Sequence, residues 1–496
     1  MKDYLAVDLG ASNGRAIIGR FNGETLALEE LTRFENNYVK LHGAYYWDIL
    51  RLYSNIKDAL CCYARTKKGE LAGIGIDTWG VDFGLIDKQG KLTGNPRAYR
   101  DPRGPRGRKA FEAAYGERFA FDLTGIASMD FNTLFQLYDM AQTKDPQLEI
   151  AAHLLTMPDL LGYMLSGVAA TEYTHATTTQ MLDAATGQWS AELIQKCGVN
   201  PSLFCEIQPC GTEKAKVLPE IVGDTGLKAA PSVFCVGSHD TASAVACVPA
   251  TGDNYAFISS GTWSLLGIVT KEAIINDLVY DQGFSNEGTV DGGFRPLKNI
   301  MGLWIIQECK RQWDAENKLS WNEIEQLARG AQAFRSLIDV NAPVFFGGGE
   351  MIQKIQSFCE QTGQSVPTTI GEIARTAYES LAYSYREAFE GLEKLKGKRI
   401  DVLHIVGGGA KDVLLNHMAA AAINRPVIAG PFEATAIGNL MIQVKAAGEV
   451  SDFAQMRDVI RKSFNVVTYE PTDTHMWDDH YERYQRIKEA YKQKQQ

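Results

Sequence analysis

The segment Ser232-Val-Phe-Cys-Val-Gly-Ser-His-Asp-Thr-Ala-Ser-Ala-Val245 changes character at its middle, and the rest of the chain is organised around it. An apolar run ends at Gly237, polar residues fill positions 238–241, and small residues typical of a helix follow. This pattern predicts a strand, a turn and a helix, with the turn in a crevice beyond the carboxyl end of the strand. Asp240 would be an exposed carboxylate there and a candidate general base. Alternatively, Ser238 or Asp240 only caps the helix, and the glycine turns elsewhere in the chain favour the functional interpretation.

Length and charge narrow the class of protein. With 496 residues the chain is too long for a single core and is expected to form about two to four domains. A net charge of −10 without a long Lys or Arg run argues against nucleic acid or an anionic membrane as the main partner. No targeting segment precedes Tyr4, and no apolar run approaches the ~18 residues of a membrane span. We therefore expect a cytoplasmic protein.

The nine cysteines are scattered and include no C-x-x-C pair. Cys205 and Cys210 are close in sequence, but no second pair of ligands follows that would complete a zinc site. We expect reduced thiols that act as small buried hydrophobes. The segment His475–His480 mimics a metal site within a polar, helical tail, and a solvated helix face is the expected structure.

The first glycine turn follows the strand predicted at Tyr4–Asp8. Further strands are predicted at Arg15–Arg20 and Thr25–Phe34, so that the three form a meander. The turn Asp8–Gly14 contains two glycines, a hydroxyl and an amide, which are groups that cradle phosphate. It lacks the Lys of a Walker A loop, and a strand follows it instead of a helix. A plain hairpin with Asn13-Gly14 in its turn is an equally good interpretation.

A helix over Asp48–Arg65 and an apolar strand over Leu71–Asp77 continue this pattern. Three antiparallel strands, a helix and a further strand make up one half of an actin-like nucleotide-binding domain. The next segments, Thr78–Asp82 and Arg97–Arg103, offer an aromatic ring, a glycine and charged side chains that suit a polyhydroxylated ligand. An ordinary turn with a core Trp and surface ion pairs is the alternative.

A second strand, glycine turn and strand occupy Asn254–Gly267, so the chain is expected to contain two related domains, 1–246 and 247–496. Asn299 is predicted to cap a helix that runs to about Trp313. Of two triple glycines, the one at 407–409 has the stronger context, because it follows an apolar segment and precedes a helical one. The triple glycine at 347–349 is interpreted as a loop.

The chain resembles the FGGY family of sugar kinases in six segments that occur in the order found in the family. They are Asp8-Leu-Gly-Ala-Ser-Asn-Gly-Arg15, Asp77-Thr-Trp-Gly-Val-Asp-Phe83, Ser238-His-Asp-Thr-Ala-Ser-Ala244, Ser259-Ser-Gly-Thr-Trp-Ser-Leu265, Lys298-Asn-Ile-Met-Gly-Leu-Trp304 and Gly407-Gly-Gly409. The segments extend over almost the whole chain. The resemblance implies an α/β protein with two actin-like (ribonuclease H-like) ATPase domains facing a central cleft.

The resemblance also implies ATP and Mg²⁺ as cofactors and a small-molecule ketose as substrate. The γ-phosphoryl group would be transferred to O1 of L-rhamnulose, in L-rhamnose catabolism. A kinase of L-fuculose or of a pentulose, or a sugar-independent actin-like ATPase, is the alternative. The pairs Trp79-Gly80 and His239-Asp240 would be redundant in a pure ATPase. The oligomeric state is left open between monomer and dimer.

By the same resemblance, Asp240 would accept the proton of the sugar hydroxyl. The residues expected to contact the sugar are Gly80, His239, Asp240, Thr241 and Asn299. Those expected to contact the nucleotide are Ala11, Ser12, Asn13, Gly14, Arg15, Thr262, Gln307 and Gly408. Asn13 stands where a serine is usual, so its side-chain role stays open. Asp8 is a candidate anchor for Mg²⁺ through water.

Overall fold

A computed structural model of the chain describes residues 2–67, 69–315 and 318–495. The strands are, in chain order, β1 (Lys2–Leu9), β2 (Asn13–Phe21), β3 (Leu26–Glu35), β4 (Val39–Leu41), β5 (Ala44–Tyr46), β6 (Leu71–Thr78), β7 (Phe83–Asp87), β8 (Ala151–Thr156), β9 (Thr171–Glu172), β10 (Leu182–Asp183), β11 (Gln188–Trp189), β12 (Ile207–Gln208), β13 (Thr212–Lys216), β14 (Ser232–Cys235), β15 (Tyr255–Ser260), β16 (Trp263–Gly267), β17 (Ser285–Gly288), β18 (Phe294–Met301), β19 (Val402–Val406), β20 (Val427–Ala429) and β21 (Val467–Tyr469).

The α-helices are α1 (Ile49–Thr66), α2 (Arg103–Tyr115), α3 (Phe119–Thr124), α4 (Thr133–Gln142), α5 (Pro146–Ile150), α6 (Met157–Ser166), α7 (Tyr173–Thr178), α8 (Ala191–Cys197), α9 (Pro219–Thr225), α10 (Asp240–Ala246), α11 (Asp277–Gln282), α12 (Trp304–Asp314), α13 (Trp321–Gly330), α14 (Met351–Gln361), α15 (Ile370–Lys396), α16 (Val413–Ile423), α17 (Ala434–Ala446), α18 (Phe453–Ser463) and α19 (Thr474–Gln495). Short 3₁₀ helices occupy Pro201–Leu203, Pro343–Phe345 and Gly408–Lys411.

The chain forms two compact units of unequal length, each made of three separate segments. The first contains the residues up to Pro249 together with Val269–Pro296 and Ala434–Phe464. The second contains Ala250–Ile268, Leu297–Glu433 and the residues from Asn465 onward. The chain therefore returns to the first unit twice after Pro249.

The sheet of the first unit has the strand order β13-β14-β6-β1-β2-β3. The meander predicted at the start of the chain is confirmed, because β1, β2 and β3 pair antiparallel. β6 and β14 then add parallel strands, and β13 closes the edge antiparallel. α1 begins where the sequence predicts, with the Asp48 side chain accepting a hydrogen bond from the backbone N–H of Arg51 at 3.0 Å. Its apolar face joins the core beside β1 and β6, including Leu52 and Ile56.

The sheet of the second unit has seven strands, and the six from β18 onward repeat this pattern. From β18 onward its order is β18-β16-β15-β19-β20-β21. Here too two antiparallel pairings, between β18 and β16 and between β16 and β15, lead to the parallel strands β19 and β20 and to an antiparallel edge strand. The prediction of two related halves is therefore confirmed at the level of the sheets.

The helix cap predicted at Asn299 is wrong. Asn299 lies inside β18, where it pairs with Leu265 of β16. The ladder continues to Met301, and α12 begins only at Trp304, with Leu303 at the N-cap position. Asn299 and Gln307 therefore do not share a helix.

The other local predictions have simpler outcomes. Residues 347–349 form a loop between a 3₁₀ helix and α14. His475 is exposed in α19, whereas His480 stacks on Phe334 with ring centroids 4.5 Å apart. The nine cysteines are free, and Cys61, Cys62 and Cys210 are only half-buried while the others are buried. Within residues 2–67, 69–315 and 318–495, no helix is both long and apolar enough to cross a membrane.

Candidate active site

Asp240 occupies the first position of α10, just beyond the carboxyl end of β14. The alternative that Ser238 or Asp240 caps this helix is not what the structure shows. The N-cap is His239, without a side-chain cap bond, and Ser238 Oγ donates to the carbonyl of Val236 at 3.3 Å. The Asp240 side chain is 33 % exposed and accepts a hydrogen bond from Thr241 Oγ1 at 3.1 Å. It is an accessible carboxylate held by its own turn.

His239 connects Asp240 to a buried ion pair that the sequence did not reveal. His239 Nε2 lies 3.4 Å from Asp240 Oδ1, and His239 Nδ1 lies 3.1 Å from Glu287 Oε2 and 2.7 Å from Arg295 Nη2. Arg295 Nη2 donates to Glu287 Oε2 at 2.6 Å. Burial alone would raise the pKa of Glu287, but its contacts with His239 and with the Arg295 guanidinium hold it at about 2. Glu287 is therefore an anion at neutral pH.

Hydrogen bonds from neighbouring Thr side chains hold the backbone of the turn that carries Gly80. Val81 has a φ of 69°, its N–H donates to Thr178 Oγ1 at 3.1 Å, and its carbonyl accepts from Thr133 Oγ1 at 2.5 Å. A Cβ on Gly80 would lie 3.2 Å from Thr178 Oγ1, which is a tight contact. Glycine thus lets the chain pass close to the neighbouring helix α7, and Gly80 itself is half-buried.

The indole N–H of Trp79 forms a hydrogen bond within the protein. Its Nε1 donates to Asp82 Oδ2 at 2.9 Å, and Trp47 Nε1 donates to the same oxygen at 2.7 Å. Burial raises the pKa of Asp82 to about 6, although these hydrogen bonds oppose the shift. The Trp and Asp of this turn therefore organise the backbone around Gly80, in agreement with the core-Trp alternative for this segment.

The buried Glu172, just before the Thr-rich segment 173–180, supports the Asp240 turn. Glu172 accepts hydrogen bonds from the backbone N–H groups of Thr174 at 2.8 Å and Ser238 at 3.2 Å. Burial raises the pKa of Glu172 to about 7 and lowers the pKa of His175 to about 4. The sequence alone suggested no function for segment 173–180. Its many Thr residues, together with Glu172 and His175, were the feature that could have indicated a buried polar network.

The segment Ala11–Arg15, which the family resemblance assigns to the ATP phosphates, forms part of a hairpin whose turn the side chain of Asn36 stabilises. Gly10 N–H donates to the carbonyl of Asn13 at 2.8 Å, and Asn36 Nδ2 donates to the carbonyl of Gly10 at 2.8 Å. The side chains of Ser12 and Asn13 are exposed. A Cβ on Gly14 would lie 2.3 Å from the Phe34 ring, so this glycine is required for packing. The hairpin interpretation and a phosphate-binding role are compatible in this geometry.

Carboxylates line the strand ends next to this loop. Asp8 pairs with Asp77 in the parallel register of β1 and β6, and it forms an ion pair with Arg15. Asp77 is fully buried, and Asn439 Nδ2 donates to its Oδ2 at 2.6 Å. Burial and the nearby charge of Asp8 raise the pKa of Asp77 well above its usual range. Its Oδ1 has no hydrogen-bond partner among the described residues.

In the second unit, the predicted nucleotide residues lie around the β15–β16 turn. The carbonyl of Thr262 accepts from the N–H groups of Gly302 at 3.1 Å and Trp304 at 3.2 Å, which brings the start of α12 to this turn. Gln307 lies in the first turns of that helix. A Cβ on Gly409 would lie 1.9 Å from Ser260 Oγ, so the glycine run that includes Gly408 is what lets the chain pass the end of β15.

Each unit thus gathers its own share of the predicted residues. The first unit holds Asp8, Ala11, Ser12, Asn13, Gly14, Arg15, Gly80, His239, Asp240 and Thr241, and the second holds Thr262, Asn299, Gln307 and Gly408. Asn299 is half-buried on β18 and does not cap a helix. Their roles toward sugar and nucleotide stay predictions.

Comparisons with known proteins agree with this architecture. Residues 3–247 match the N-terminal domain model, and residues 256–447 the C-terminal domain model, of the FGGY family of carbohydrate kinases. A protein named rhamnulokinase from Bacteroides thetaiotaomicron is 43% identical over 97% of this chain and 98% of its own length. One of the same name from Halalkalibacterium halodurans is 40% identical over 95% of this chain and 100% of its own length.

Solved structures share the fold at low identity. A ligand-bound xylulose kinase from Lactobacillus acidophilus superposes with a TM-score of 0.82 at 14% identity and covers 98% of both chains. A Plasmodium falciparum glycerol kinase with ADP superposes with a TM-score of 0.78 at 17% identity, over 97% of this chain and 98% of its own. With both domain models matched and relatives of about 40% identity over nearly its full length, the chain belongs to the FGGY family of carbohydrate kinases.

Proposed function

We propose that the protein transfers the γ-phosphoryl group of ATP to O1 of L-rhamnulose, giving L-rhamnulose 1-phosphate and ADP in L-rhamnose catabolism. The main support for this reaction is the accessible Asp240 carboxylate at the start of α10, flanked by His239 and Thr241. The choice of sugar is supported by full-length relatives that are named rhamnulokinase.

Asp240 is the base in this proposal. A primary alcohol is a poor nucleophile, and in phosphoryl transfer the protein mainly positions groups and neutralises charge. The carboxylate accepts a hydrogen bond from the O1 hydroxyl, orients it and takes its proton as the bond to phosphorus forms. Gly80, His239 and Thr241 of the same unit are proposed to contact the sugar as well, and Asn299 is proposed as a further sugar contact.

ATP is the phosphoryl donor of this kinase family. In our proposal, the hairpin turn Ala11–Arg15 contacts the phosphates through its backbone N–H groups and exposed side chains. Thr262, Gln307 and Gly408 contact the remainder of the nucleotide. The close packing that Gly14 and Gly409 permit would hold both turns in place without a ligand.

The residues also fit a Mg²⁺ ion that arrives with ATP. Mg²⁺ keeps several waters and uses one or two carboxylates together with substrate phosphates. Asp8 lies at the end of β1 beside Asp77, whose Oδ1 is buried without a partner in the described part of the chain. No group of three or more His, Cys, Asp or Glu side chains among the described residues could hold a metal by itself. When bound, the ion would neutralise phosphate charge, with Asp8 as its anchor through water.

The domain bounds and the cellular location are also proposals. The family domains are proposed to be 1–246, with the sugar site and phosphate loop, and 247–496, with the nucleotide site. A cytoplasmic location is proposed from the composition. The oligomeric state is left open between monomer and dimer.

A ketose panel tests the proposed substrate. Purified protein is given ATP, Mg²⁺ and L-rhamnulose, L-fuculose or a pentulose, and phosphorus NMR locates the ester. We expect the fastest turnover with L-rhamnulose and an ester at C1. A site that hydrogen-bonds particular hydroxyls rejects epimers strongly, because mismatched polar groups stay buried and unpaired. Faster turnover of another ketose, or an ester at another carbon, would overturn the substrate assignment while leaving the kinase activity intact.

A further inference from the structure

We propose that Arg295 is a positioning residue, which Glu287 holds in place and which fixes the tautomer of His239 so that its Nε2–H faces Asp240. This inference rests on the proposed role of Asp240 as the base and extends it to two residues without a role in the reaction so far. All four residues belong to the first unit.

Arg295 is held rigidly inside the protein. Its side chain is fully buried, its Nη1 donates to the carbonyl of Gly288, and its Nη2 lies 2.6 Å from Glu287 Oε2 and 2.7 Å from His239 Nδ1. Glu287 is 8 % exposed and supplies the opposite charge. A buried guanidinium that spans a carboxylate, a carbonyl and an imidazole has little freedom to turn away from any of them.

This contact decides which nitrogen of the ring carries the proton. A guanidinium can only donate hydrogen bonds. At 2.7 Å from Arg295 Nη2, His239 Nδ1 must therefore be the acceptor, because a proton on Nδ1 would place one N–H against another. The 3.1 Å contact with Glu287 Oε2 taken alone would favour a proton on Nδ1. The shorter Arg295 contact prevails, because Nη2 has two hydrogens and can donate one to each acceptor.

The tautomer of His239 also determines what Asp240, the proposed base, contacts. With Nδ1 accepting, the ring proton is on Nε2, which lies 3.4 Å from Asp240 Oδ1. Thr241 Oγ1 donates to the same oxygen from 3.1 Å. Two donors then orient the carboxylate through Oδ1, which leaves Oδ2 to receive the proton of the sugar hydroxyl. A catalytic contact of 3.4 Å without substrate is expected to tighten when substrate binds.

Histidine NMR tests the tautomer without any assay of activity. The protein is labelled with nitrogen-15 at its histidines, and long-range nitrogen–proton correlations separate the two tautomers. A His239→Gln variant assigns the signal. We expect wild-type His239 to carry its proton on Nε2 at neutral pH without substrate. A proton on Nδ1, or on both nitrogens, would overturn the proposal.

A double variant tests the effect on catalysis. Glu287→Gln combined with Arg295→Met removes both charges together, so that no carboxylate is left buried without its partner. We expect the His239 signal to become a mixture of tautomers, and kcat for L-rhamnulose to fall about tenfold or more with KM for ATP unchanged. A folded double variant with wild-type kcat would contradict the proposal. An enzyme that phosphorylates none of the ketoses but keeps the Nε2–H tautomer would instead refute the proposed function and retain the geometry.

Arg375→Lys in the second unit is the matched control. Arg375 donates to Glu379 at 2.7 Å and to the carbonyl of Ala331 at 2.8 Å, so it is another guanidinium that spans a carboxylate and backbone. Its replacement is expected to lower the melting temperature and to leave the His239 signal unchanged. A His239 signal that shifts equally in both variants would show a general loss of stability and would overturn the positioning role.

Discussion

At the scale of single residues, the proposed reaction depends on the Asp240 carboxylate as a proton acceptor. Asp240→Asn keeps the shape of the side chain but cannot take a proton. We expect kcat to fall by at least about 10²-fold while L-rhamnulose and ATP still bind. Steady-state kinetics and calorimetric titration measure the two effects. Asp224→Asn, at a 61 % exposed carboxylate paired with Lys57, is the control. Near-normal kcat in Asp240→Asn would remove Asp240 from this role.

His175 should make the stability of the first unit sensitive to acid. Burial lowers its folded-state pKa to about 4 from the ordinary 6.5. Between these values the unfolded chain binds the extra proton, so this contribution to stability is complete above pH 6.5 and is lost as the pH falls towards 4. Glu172, with a pKa raised to about 7, acts in the opposite direction between pH 7 and 4.5.

A His175→Gln variant isolates the first of these effects. The stability advantage of wild type over the variant is expected to shrink by about 2 kcal/mol between pH 6.5 and pH 4.5. Urea unfolding curves of both proteins at the two pH values measure it. An advantage that is constant over this range would mean that His175 takes up its proton in the folded state as readily as in the unfolded chain.

At the scale of elements, the sequence predicted the hairpins and their neighbours well, because the apolar runs and glycine turns of β1, β2, β15 and β16 are local patterns. Asn299 shows where such reasoning fails. A polar residue shortly before an apolar helix has the pattern of a cap, and only the pairing of β18 with β16 shows that the strand continues to Met301.

The helix that carries Asp240 should be sensitive to its neighbour α17. A Cβ on Gly438 would lie 1.8 Å from the backbone oxygen of Ser243 in α10, so Gly438→Ala must push the two helices apart. We expect a loss of about 1–3 kcal/mol in stability and a lower kcat, because Asp240 moves with α10. Thermal unfolding and steady-state kinetics test both effects.

Gly223→Ala in α9 is the matched control for this prediction. Nothing lies within 4 Å of the added Cβ, and alanine favours a helix over glycine by roughly 0.5–1 kcal/mol. This variant is expected to keep its kcat and to be slightly more stable. Equal behaviour of the two alanine variants would contradict the close approach of α10 and α17.

At the scale of the whole molecule, two units with the same order of strand pairings are joined by a chain that returns twice to the first unit. The two related halves could be predicted, because each begins with a hairpin around a glycine turn. The support for His239 could not be predicted. Glu287 and Arg295 follow it by about fifty residues, and only the fold brings their charges to its ring.

If this member of the family is an ATP-dependent ketose kinase, its turnover of ATP must depend on the sugar. Release of ADP by the purified protein is followed with ATP and Mg²⁺, in the presence and in the absence of L-rhamnulose. We expect rapid release of ADP only when the ketose is present, together with one sugar phosphate for each ADP. Release of ADP at the same rate without any sugar would contradict it and would indicate an actin-like ATPase.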